Sequence, residues 1–331
     1  MKERLPFIGA ESIADCLSYT ELISSMRLAL KQGHSLPERM HYEIGKHWSI
    51  DARLLLMLAW RDDFYLGFKI VTLYPDNVSR GLPNLSGVYA LFNGRTGEPL
   101  ALMDAAELTA YRTAAASMLA AQCLVARPAE NVLVIGAGNL SRYYINAYAE
   151  IMSPKSISLW SRDISKAEKV IESMQLTGVD LRVASNLESA AGEADIISTI
   201  TSSMQPVLFG AWCKPGSHID LVGGYRPDMR EADDELIRRA LIFVDTYEGV
   251  LKEAGDITEP LERGIISRID IKADLAELLA GCLPDSTNDK DLTVFKSVGA
   301  AFEDLAAAVL VFEKTNQRDS RPKARPPVHC Q

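Results

Sequence analysis

The feature that most constrains the fold is a glycine turn between an apolar run and a helical segment. The run is NVLVI at 131–135, and the turn GAGNLS at 136–141 follows it directly. Runs of this kind form buried parallel strands, and glycines in the next turn let the backbone bend sharply and approach a pyrophosphate. The N–H groups that open the following helix favour an anion. The pattern predicts a dinucleotide-binding Rossmann domain beginning near Asn131.

Strand-like and helical segments alternate after this turn, with short connections. The predicted order is strand SISLWSR, helix ISKAEKVIESMQL, strand LRVAS, a helix around Leu187–Ala194, strands DIISTIT and SHIDLVGG, a helix over Arg230–Ala240, and strand LIFVDT. This alternation is typical of a doubly wound parallel sheet in an α/β protein. The later stretch VFKSVGAAFEDLAAAVLVFEKT is predicted to be a helix that packs on a large apolar surface.

The first third of the chain predicts a second domain of the α+β type. A helical face over 18–30 precedes three strand-like runs, RLLLMLAWR, FYLGFKIVTLY and SGVYALFNGRTGEPLALMD, the last with a hairpin turn. An Ala-rich helix then runs over Ala105–Ala126. We expect residues 1–122 with 301–318 to form a substrate-binding and dimerisation domain and 123–300 the Rossmann domain. The basic, proline-rich residues 319–331 are predicted to be a disordered tail.

Bulk composition excludes some classes of protein. The 331 residues carry a net charge of -9, which disfavours binding to nucleic acid because the phosphate backbone is itself anionic. No run of about 18 apolar residues occurs, so no membrane span is expected. The polar N-terminus lacks the apolar region of a signal peptide. The cysteines form no CxxC pair and the histidines no metal-binding motif, so we expect a cytoplasmic protein without a bound metal.

Three basic residues occur in unusual settings. Lys69 lies within the apolar strand GFKIV, Arg112 lies within the Ala-rich helix, and Arg39 follows Pro37 in a loop. A lysine in an apolar strand needs a partner or a cavity. Each residue taken alone is more simply interpreted as a surface charge. Taken together, the three are candidates for an anion-binding pocket.

Seven segments resemble the ornithine cyclodeaminase/mu-crystallin family, and they cover nearly the whole chain. They are PER (37–39), GFKIVTLYPDN (67–77), GLPNLSG (81–87), TGEPLALMD (96–104), LTAYRTAAAS (108–117), VIGAGN (134–139) and FKSVGAAFEDLAAA (295–308). The resemblance implies a Rossmann domain joined to an N-terminal substrate and dimerisation domain that the C-terminal helix completes. It also implies a homodimer.

The resemblance further implies that residues matching Arg39, Lys69 and Arg112 bind the carboxylate of a small substrate. Members of the family act on amino acids or their imines. They include cyclodeaminases, alanine dehydrogenases, ketimine reductases, and a protein that binds thyroid hormone and NADPH. Lys69 is our candidate for the catalytic group, because it can supply or stabilise the proton on an imine nitrogen.

The end of the second Rossmann strand bears on the choice of cofactor. Ser161 stands where NAD-preferring sites place an acidic residue, and the guanidinium of Arg162 can pair with a 2′-phosphate. We therefore expect NADPH, while Asp163 keeps NADH as an alternative. The predicted cofactor contacts are Gly136, Gly138, Asn139, Leu140, Ser161, Arg162 and, at later strand ends, Thr201 and Val222. The resemblance adds Asn84, Arg112 and Ser297.

One departure from the family pattern bears on the reaction. Ornithine cyclodeaminases carry a catalytic aspartate in the loop where this chain has Tyr225, and a phenol is a poor carboxylate substitute at neutral pH. The segment HIDLVGGYRPDMREAD resembles members that reduce the cyclic imino acids Δ1-pyrroline-2-carboxylate and Δ1-piperideine-2-carboxylate. We therefore expect a ketimine reductase. The alternatives are a cyclodeaminase or amino-acid dehydrogenase, a synthase that joins two amino acids through an imine, and a non-enzymic NADPH-binding protein.

Overall fold

The structure is a computed structural model, which describes residues 5–44, 52–281 and 290–319. Internal contacts divide the chain into two units. The N-terminal unit comprises the described parts of 1–18, 34–108 and 304–331, and the central unit comprises the described parts of 19–33 and 109–303. These limits differ from the expected boundaries at 122 and 301, because the division falls inside two helices. The tail expected over 319–331 lies outside the described residues, apart from Asp319.

The N-terminal unit contains a six-stranded sheet. Its spatial order is β1 (Phe7–Ile8), β6 (Pro99–Asp104), β5 (Leu85–Asn93), β4 (Tyr65–Leu73), β3 (Arg53–Arg61) and β2 (Met40–Glu43). All neighbours are antiparallel except β1 and β6. Buried residues alternate along β3 and β4, as expected for a sheet with one face on a core. The three strand-like runs predicted in this region are confirmed.

The central unit contains an eight-stranded sheet in which every neighbouring pair is parallel. Its order is β13 (Ile271–Asp274), β12 (Leu241–Val244), β14 (Thr293–Lys296), β11 (His218–Leu221), β10 (Ile196–Thr199), β7 (Asn131–Ile135), β8 (Ser156–Trp160) and β9 (Asp180–Val183). The chain runs from β7 outward to β9 and then returns to β10 on the other side of β7. The strand order therefore reverses between β7 and β10, which is where ligands bind in doubly wound folds.

Eleven α-helices occur in the described residues. They are α1 (Ala10–Cys16), α2 (Tyr19–Gln32), α3 (Ala105–Leu124), α4 (Ser141–Ile151), α5 (Ile164–Glu172), α6 (Leu187–Glu193), α7 (Asp234–Arg239), α8 (Tyr247–Glu253), α9 (Gly255–Glu262), α10 (Leu275–Leu279) and α11 (Ala301–Asp319). The boundary between the units falls within α3 and within α11. No described helix is long and apolar enough to cross a membrane. The α/β class and the Rossmann sheet are confirmed.

One predicted element is wrong. The stretch from Val294 was expected to be helical throughout, but Thr293–Lys296 is strand β14, an interior strand of the parallel sheet. All four of its residues are buried, because β11 and β12 flank it on either side. The helix begins only at Ala301, after Gly299 adopts a φ of +85° that no helix continues through.

A buried hydrogen-bond network crosses the core of the central unit. The hydroxyls of Ser117 and Ser198 donate to the two carboxyl oxygens of Asp220, at 3.0 and 2.9 Å. Tyr144 and Tyr148 approach these serines, with oxygen–oxygen distances of 2.7 and 2.6 Å. When Asp220 is ionised, each serine gives its proton to it, so each tyrosine donates to its serine. Burial raises the pKa of Asp220 to about 7.

We predict that Asp220→Asn stabilises the protein progressively as the pH rises from 5 to 8. The folded-state pKa of about 7 lies above the unfolded value of 3.8. Folding therefore favours the protonated carboxyl, and wild-type stability falls as the pH rises between these values. The advantage of the variant in free energy of unfolding should grow by roughly 2 to 3 kcal/mol over this range.

Urea unfolding at each pH measures this difference. Asp62→Asn, which changes an exposed carboxylate of the N-terminal unit, is the matched control and should track the wild type. Parallel pH curves for wild type and Asp220→Asn would contradict the assignment.

Candidate functional site

The glycine turn lies between β7 and α4, at the point where the strand order reverses. Gly136 has a φ of +121°, and its N–H donates to Trp160 O at 2.8 Å. A Cβ at Gly136 would lie 3.1 Å from the carbonyl oxygen of Ile200, at the end of the neighbouring strand β10. Glycine is required here by both backbone conformation and space.

Gly138 serves the turn in a different way. A Cβ at this residue would have no atom within 4 Å, so the space in front of it is open. The N–H groups of Ser141 and Tyr143 donate to the carbonyl oxygens of Gly138 and Leu140, at 3.1 and 3.0 Å, and the dipole of α4 favours an anion beside the turn. The hydroxyl of Ser141 donates to Gly138 O at 2.7 Å, so it holds the turn rather than pointing to a phosphate. This open cradle at a helix N-terminus fits a pyrophosphate.

The end of β8 presents three polar side chains in sequence. Ser161 is half-buried, whereas Arg162 and Asp163 are exposed. Asp163 is the N-cap of α5, since its carboxylate accepts from the backbone N–H of Ser165 at 3.2 Å and from its hydroxyl at 2.7 Å. The hydrogen bond from that hydroxyl lowers the pKa of Asp163. Asp163 is the acidic residue that left NADH as an alternative cofactor, and its carboxylate is engaged as the cap of α5. Arg162 is exposed to solvent beyond the end of the strand.

Strand ends beyond β10, β11 and β14 meet at the same edge of the sheet as the glycine turn. Thr201 follows β10, and the N–H of Val222 donates to Thr199 O at 3.0 Å. The N–H of Ser297 donates to Leu221 O at 3.1 Å. The structure therefore brings Thr201, Val222 and Ser297 to the carboxyl edge of the sheet, where the sequence predicted cofactor contacts. Asn139 and Leu140 lie in the glycine turn itself.

A buried carboxylate fixes two of these strand ends. Glu231 accepts four hydrogen bonds, from the N–H and hydroxyl of Thr201 at 2.6 and 2.7 Å, the hydroxyl of Thr199 at 2.8 Å and the N–H of Gly223 at 2.6 Å. Asp256 in turn holds Glu231, accepting from its N–H at 2.7 Å, and pairs with the buried ammonium of Lys296 at 3.1 Å. The loops after β10 and β11 are therefore rigidly positioned before any ligand binds.

A second buried carboxylate holds the loop after β14 against Arg112. Asp245 accepts from the N–H groups of Val298 and Gly299 at 2.8 and 2.6 Å. A Cβ at Gly299 would lie 2.3 Å from the guanidinium of Arg112, so only glycine leaves room for that side chain. Arg112 is buried and pairs with Glu303 at 2.5 Å. Arg112 is thus an interior cation of the central unit, not a surface charge.

Lys69 is an interior cation of the N-terminal unit. It lies on the buried face of β4, with 2% of its surface exposed. Its ammonium lies 2.9 and 2.8 Å from the two carboxyl oxygens of Asp304 in α11. A buried lysine is stable only with such compensation. The surface-charge interpretation is therefore wrong for Lys69 as well.

The other two predicted residues of the N-terminal unit are less enclosed. Arg39 is half-buried in the loop before β2. Asn84 is half-buried just before β5, and its carbonyl Oδ1 is buried with no hydrogen-bond partner among the described residues. An unpaired buried oxygen of this kind is a position where a ligand donor is favoured.

The loop after β11 supports the departure noted in the sequence. Tyr225 is half-buried, and Asp228 is exposed and forms an ion pair with Arg226. Asp228 is thus engaged with Arg226 within its own loop. Among the described residues, no group of three or more histidine, cysteine or carboxylate side chains is arranged to hold a metal.

Sequence reasoning missed the carboxylates that organise these sites, namely Glu231, Asp245, Asp256, Glu303 and Asp304. A signal existed for the last two. Two consecutive acids in the otherwise apolar segment AAFEDLAAAVL require buried cationic partners. The other three follow or precede turns, where a carboxylate is ordinarily solvated.

The parallel sheet, its reversal point and the glycine turn define a dinucleotide-binding protein of the Rossmann class. The chain matches the Ornithine cyclodeaminase/mu-crystallin family over residues 10–319 and therefore belongs to that family.

Two related proteins and one solved structure align with most of the chain. Ketimine reductase mu-crystallin of Mus musculus is 36% identical over 321 residues, covering 95% of this chain and 98% of the mouse protein. Delta(1)-pyrroline-2-carboxylate reductase of Paracoccus denitrificans is 34% identical over 281 residues, covering 85% of this chain and 89% of that protein. The solved structure of Thermococcus litoralis Delta(1)-pyrroline-2-carboxylate reductase, in complex with NADH and L-proline, has a TM-score of 0.90 and 32% identity. It covers 97% of this chain and 100% of that one.

We predict opposite effects for alanine at the two glycines of the turn. Gly138→Ala should leave stability unchanged, because its Cβ meets no protein atom, but weaken dinucleotide binding roughly 10-fold or more by crowding the phosphates. Gly136→Ala should lower stability, because its φ is +121°. Fluorescence titration with NADPH and NADH, beside urea unfolding, measures both. Unchanged dinucleotide affinity in Gly138→Ala would contradict the placement of the pyrophosphate.

Proposed function

We propose that this protein is a nicotinamide-dependent reductase of cyclic 2-carboxy imines. The substrates are Δ1-pyrroline-2-carboxylate and Δ1-piperideine-2-carboxylate, and the products are L-proline and L-pipecolate. The observation that carries the proposal is Lys69, a cation buried within an apolar sheet, in a chain that also has a complete dinucleotide turn. Relatives named for this reaction, together with the family membership, support the same reaction here.

Arg39, Lys69 and Arg112 are proposed to bind the substrate carboxylate. Arg112 offers a planar fork of donors that matches a carboxylate, and Lys69 offers a compact ammonium group. Both are already desolvated and held by carboxylates in the free protein. Both cations are held in the interior, so positioning of the substrate carboxylate supplies much of the rate enhancement.

A bound nicotinamide supplies the hydride that reduces the imine carbon. The residues proposed to hold the cofactor are Gly136, Gly138, Asn139, Leu140, Ser161, Arg162, Thr201, Val222 and Ser297, with Asn84 and Arg112. Lys69 is proposed to hold a proton at the imine nitrogen, because its ammonium is the acidic group that the resemblance places at the substrate. Protonation there makes the imine carbon more electrophilic.

Tyr225 argues against the family's deaminating reaction. Ammonia release from ornithine needs a carboxylate base, and this loop offers a phenol and an aspartate already paired with Arg226. The assay below therefore includes ornithine as a comparator. A homodimer and a cytoplasmic location are further proposals that follow from the family resemblance and the composition.

We expect the purified protein to oxidise NADPH when Δ1-pyrroline-2-carboxylate is added. Lys69→Met should lower kcat/KM by roughly 100- to 1,000-fold, because it removes a buried ammonium from the substrate carboxylate. Arg112→Met should behave similarly. NADPH absorbance at saturating cofactor measures turnover, with ornithine and with pyruvate plus ammonia as comparator substrates.

The matched control is Lys272→Met, which changes an exposed lysine of β13. It should retain wild-type kinetics, and both Lys272→Met and Lys69→Met should retain dinucleotide binding. Absence of imine reduction by the wild type would refute the function, and wild-type kcat/KM in Lys69→Met and Arg112→Met would refute the residue roles.

NADPH is proposed as the preferred cofactor on the basis of Arg162. Arg162→Ser should raise the KM for NADPH roughly 10- to 100-fold, because an ion pair with the 2′-phosphate is lost, and leave the KM for NADH nearly unchanged. Initial rates with both cofactors measure this. Lys166→Ser, on the first turn of α5, controls for loss of positive charge nearby. Equal effects of Arg162→Ser on both cofactors would contradict the NADPH preference.

A further inference from the structure

The hydroxyl of Tyr89 is a buried polar group without a use in the fold. Tyr89 lies on β5 directly opposite Lys69 on β4, so both side chains project from the same face of the sheet. Only 1% of Tyr89 is exposed, and its hydroxyl has no hydrogen-bond partner among the described residues. Burial of an unpaired hydroxyl costs free energy. An unsatisfied donor on the residue opposite Lys69 therefore indicates a partner that becomes accessible during function.

Gly67 explains where the hydroxyl lies. Gly67 precedes Lys69 by two residues and shares its face of β4. A Cβ at Gly67 would lie 1.8 Å from the Tyr89 oxygen and 2.6 Å from Cζ. The phenol thus fills the space that a side chain at position 67 would occupy. Glycine is unfavourable in the middle of a strand. At position 67 it leaves the space that the Tyr89 phenol occupies.

Lys69 links this tyrosine to a buried carboxylate, since Lys69 lies opposite Tyr89 and pairs with Asp304. Burial, followed by the negative charge of Asp304, raises the pKa of Tyr89 well above its ordinary value. The phenol therefore stays neutral at physiological pH. It can donate a hydrogen bond, but it cannot serve as a proton source for the imine.

Under the proposed function, substrate binding changes the hydrogen-bond partners of Asp304. In the free protein the Lys69 ammonium lies within 2.9 Å of both carboxyl oxygens of Asp304. When Lys69 turns its N–H groups to the substrate carboxylate, Asp304 loses part of that compensation. A buried carboxylate deprived of its donors is strongly destabilised, so substrate binding would be weakened unless another donor takes the vacated position.

We propose that Tyr89 is a positioning residue for Lys69, whose hydroxyl replaces the lysine ammonium as a donor to Asp304 when Lys69 engages the substrate carboxylate. This inference rests on the proposed function of Lys69. The exchange satisfies the Tyr89 hydroxyl in the bound state and keeps Asp304 compensated. Tyr89 thereby lowers the cost of moving Lys69 from an internal ion pair to a ligand.

Tyr89→Phe tests the exchange, since it removes only the hydroxyl. The KM for Δ1-pyrroline-2-carboxylate and the inhibition constant of L-proline should both rise about 10- to 100-fold, which is the range for losing a hydrogen bond to a charged group. The dissociation constant for NADPH should stay within twofold of the wild type, and the urea midpoint should not fall, because the hydroxyl that is removed has no partner among the described residues. Tyr65→Phe, a phenol on the same strand as Lys69 whose hydroxyl donates to Glu313 at 3.3 Å, should leave both constants unchanged.

A double-mutant cycle with Asp304→Asn identifies the partner of the hydroxyl. If the phenol acts on the Asp304 charge, Tyr89→Phe should have little further effect on KM in the Asp304→Asn background. An undiminished effect there would show that the hydroxyl touches the substrate directly, and would overturn the exchange. An unchanged KM in Tyr89→Phe alone would also overturn it.

These outcomes are separable from failure of the proposed function. If the wild type neither reduces the imine nor binds L-proline, the reductase assignment fails. If the wild type does both and Tyr89→Phe matches it, the assignment stands and the role of Tyr89 fails.

Discussion

The interior of this protein depends on the compensation of buried cations by buried carboxylates. Lys69 pairs with Asp304 in the N-terminal unit, while Arg112 pairs with Glu303 and Lys296 with Asp256 in the central unit. Each cation is almost fully removed from water, which is tolerable only because a carboxylate lies within hydrogen-bonding distance. Hydrophobic residues of similar size would stabilise such positions at least as well. Retention of charge at Lys69 and Arg112 therefore points to chemistry, whereas Lys296 pairs with the carboxylate that holds Glu231.

Carboxylates also organise the backbone at the ligand edge of the parallel sheet. Glu231 ties together the strand ends after β10 and β11, and Asp245 ties down the loop after β14. Backbone N–H groups at strand ends have lost their ladder partners, so an internal acceptor replaces the hydrogen bonds that water would otherwise make. The edge is rigid as a result, and the glycine turn beside it remains the place where the backbone is open to an anion.

The sequence was most informative where local chemistry alone determines structure. The turn at Gly136 and Gly138 and the strands β3 to β5 were predictable. Glycines at a turn and apolar residues at every second position of a strand can both be recognised in the sequence itself. Strand β14 was not, because the segment TVFK, with two apolar residues between a threonine and a lysine, has no periodicity that distinguishes it from the helical segment after it. Its identity depends on β11 and β12, which pair with it from distant parts of the chain.

The site was predictable to a similar extent. Lys69 and Arg112 stood out as cations in apolar surroundings, whereas Asp304 and Tyr89 did not stand out as their neighbours. The pairing of Lys69 with Asp304 joins residues 235 positions apart, and no local pattern encodes such a contact. The buried network around Asp220 escaped notice for the same reason, since its members come from two helices and two strands.

The close approach of Gly67 and Tyr89 also limits how this chain can change over evolutionary time. A side chain at position 67 and an aromatic ring at position 89 would occupy the same volume. Substitutions at the two positions therefore cannot occur independently. A lineage that shortens residue 89 first can afterwards accept a larger residue at 67, whereas the opposite order passes through a clash inside a β-sheet. The order of substitutions is thus built into the sheet, and reversal to this arrangement must retrace the same two steps backwards.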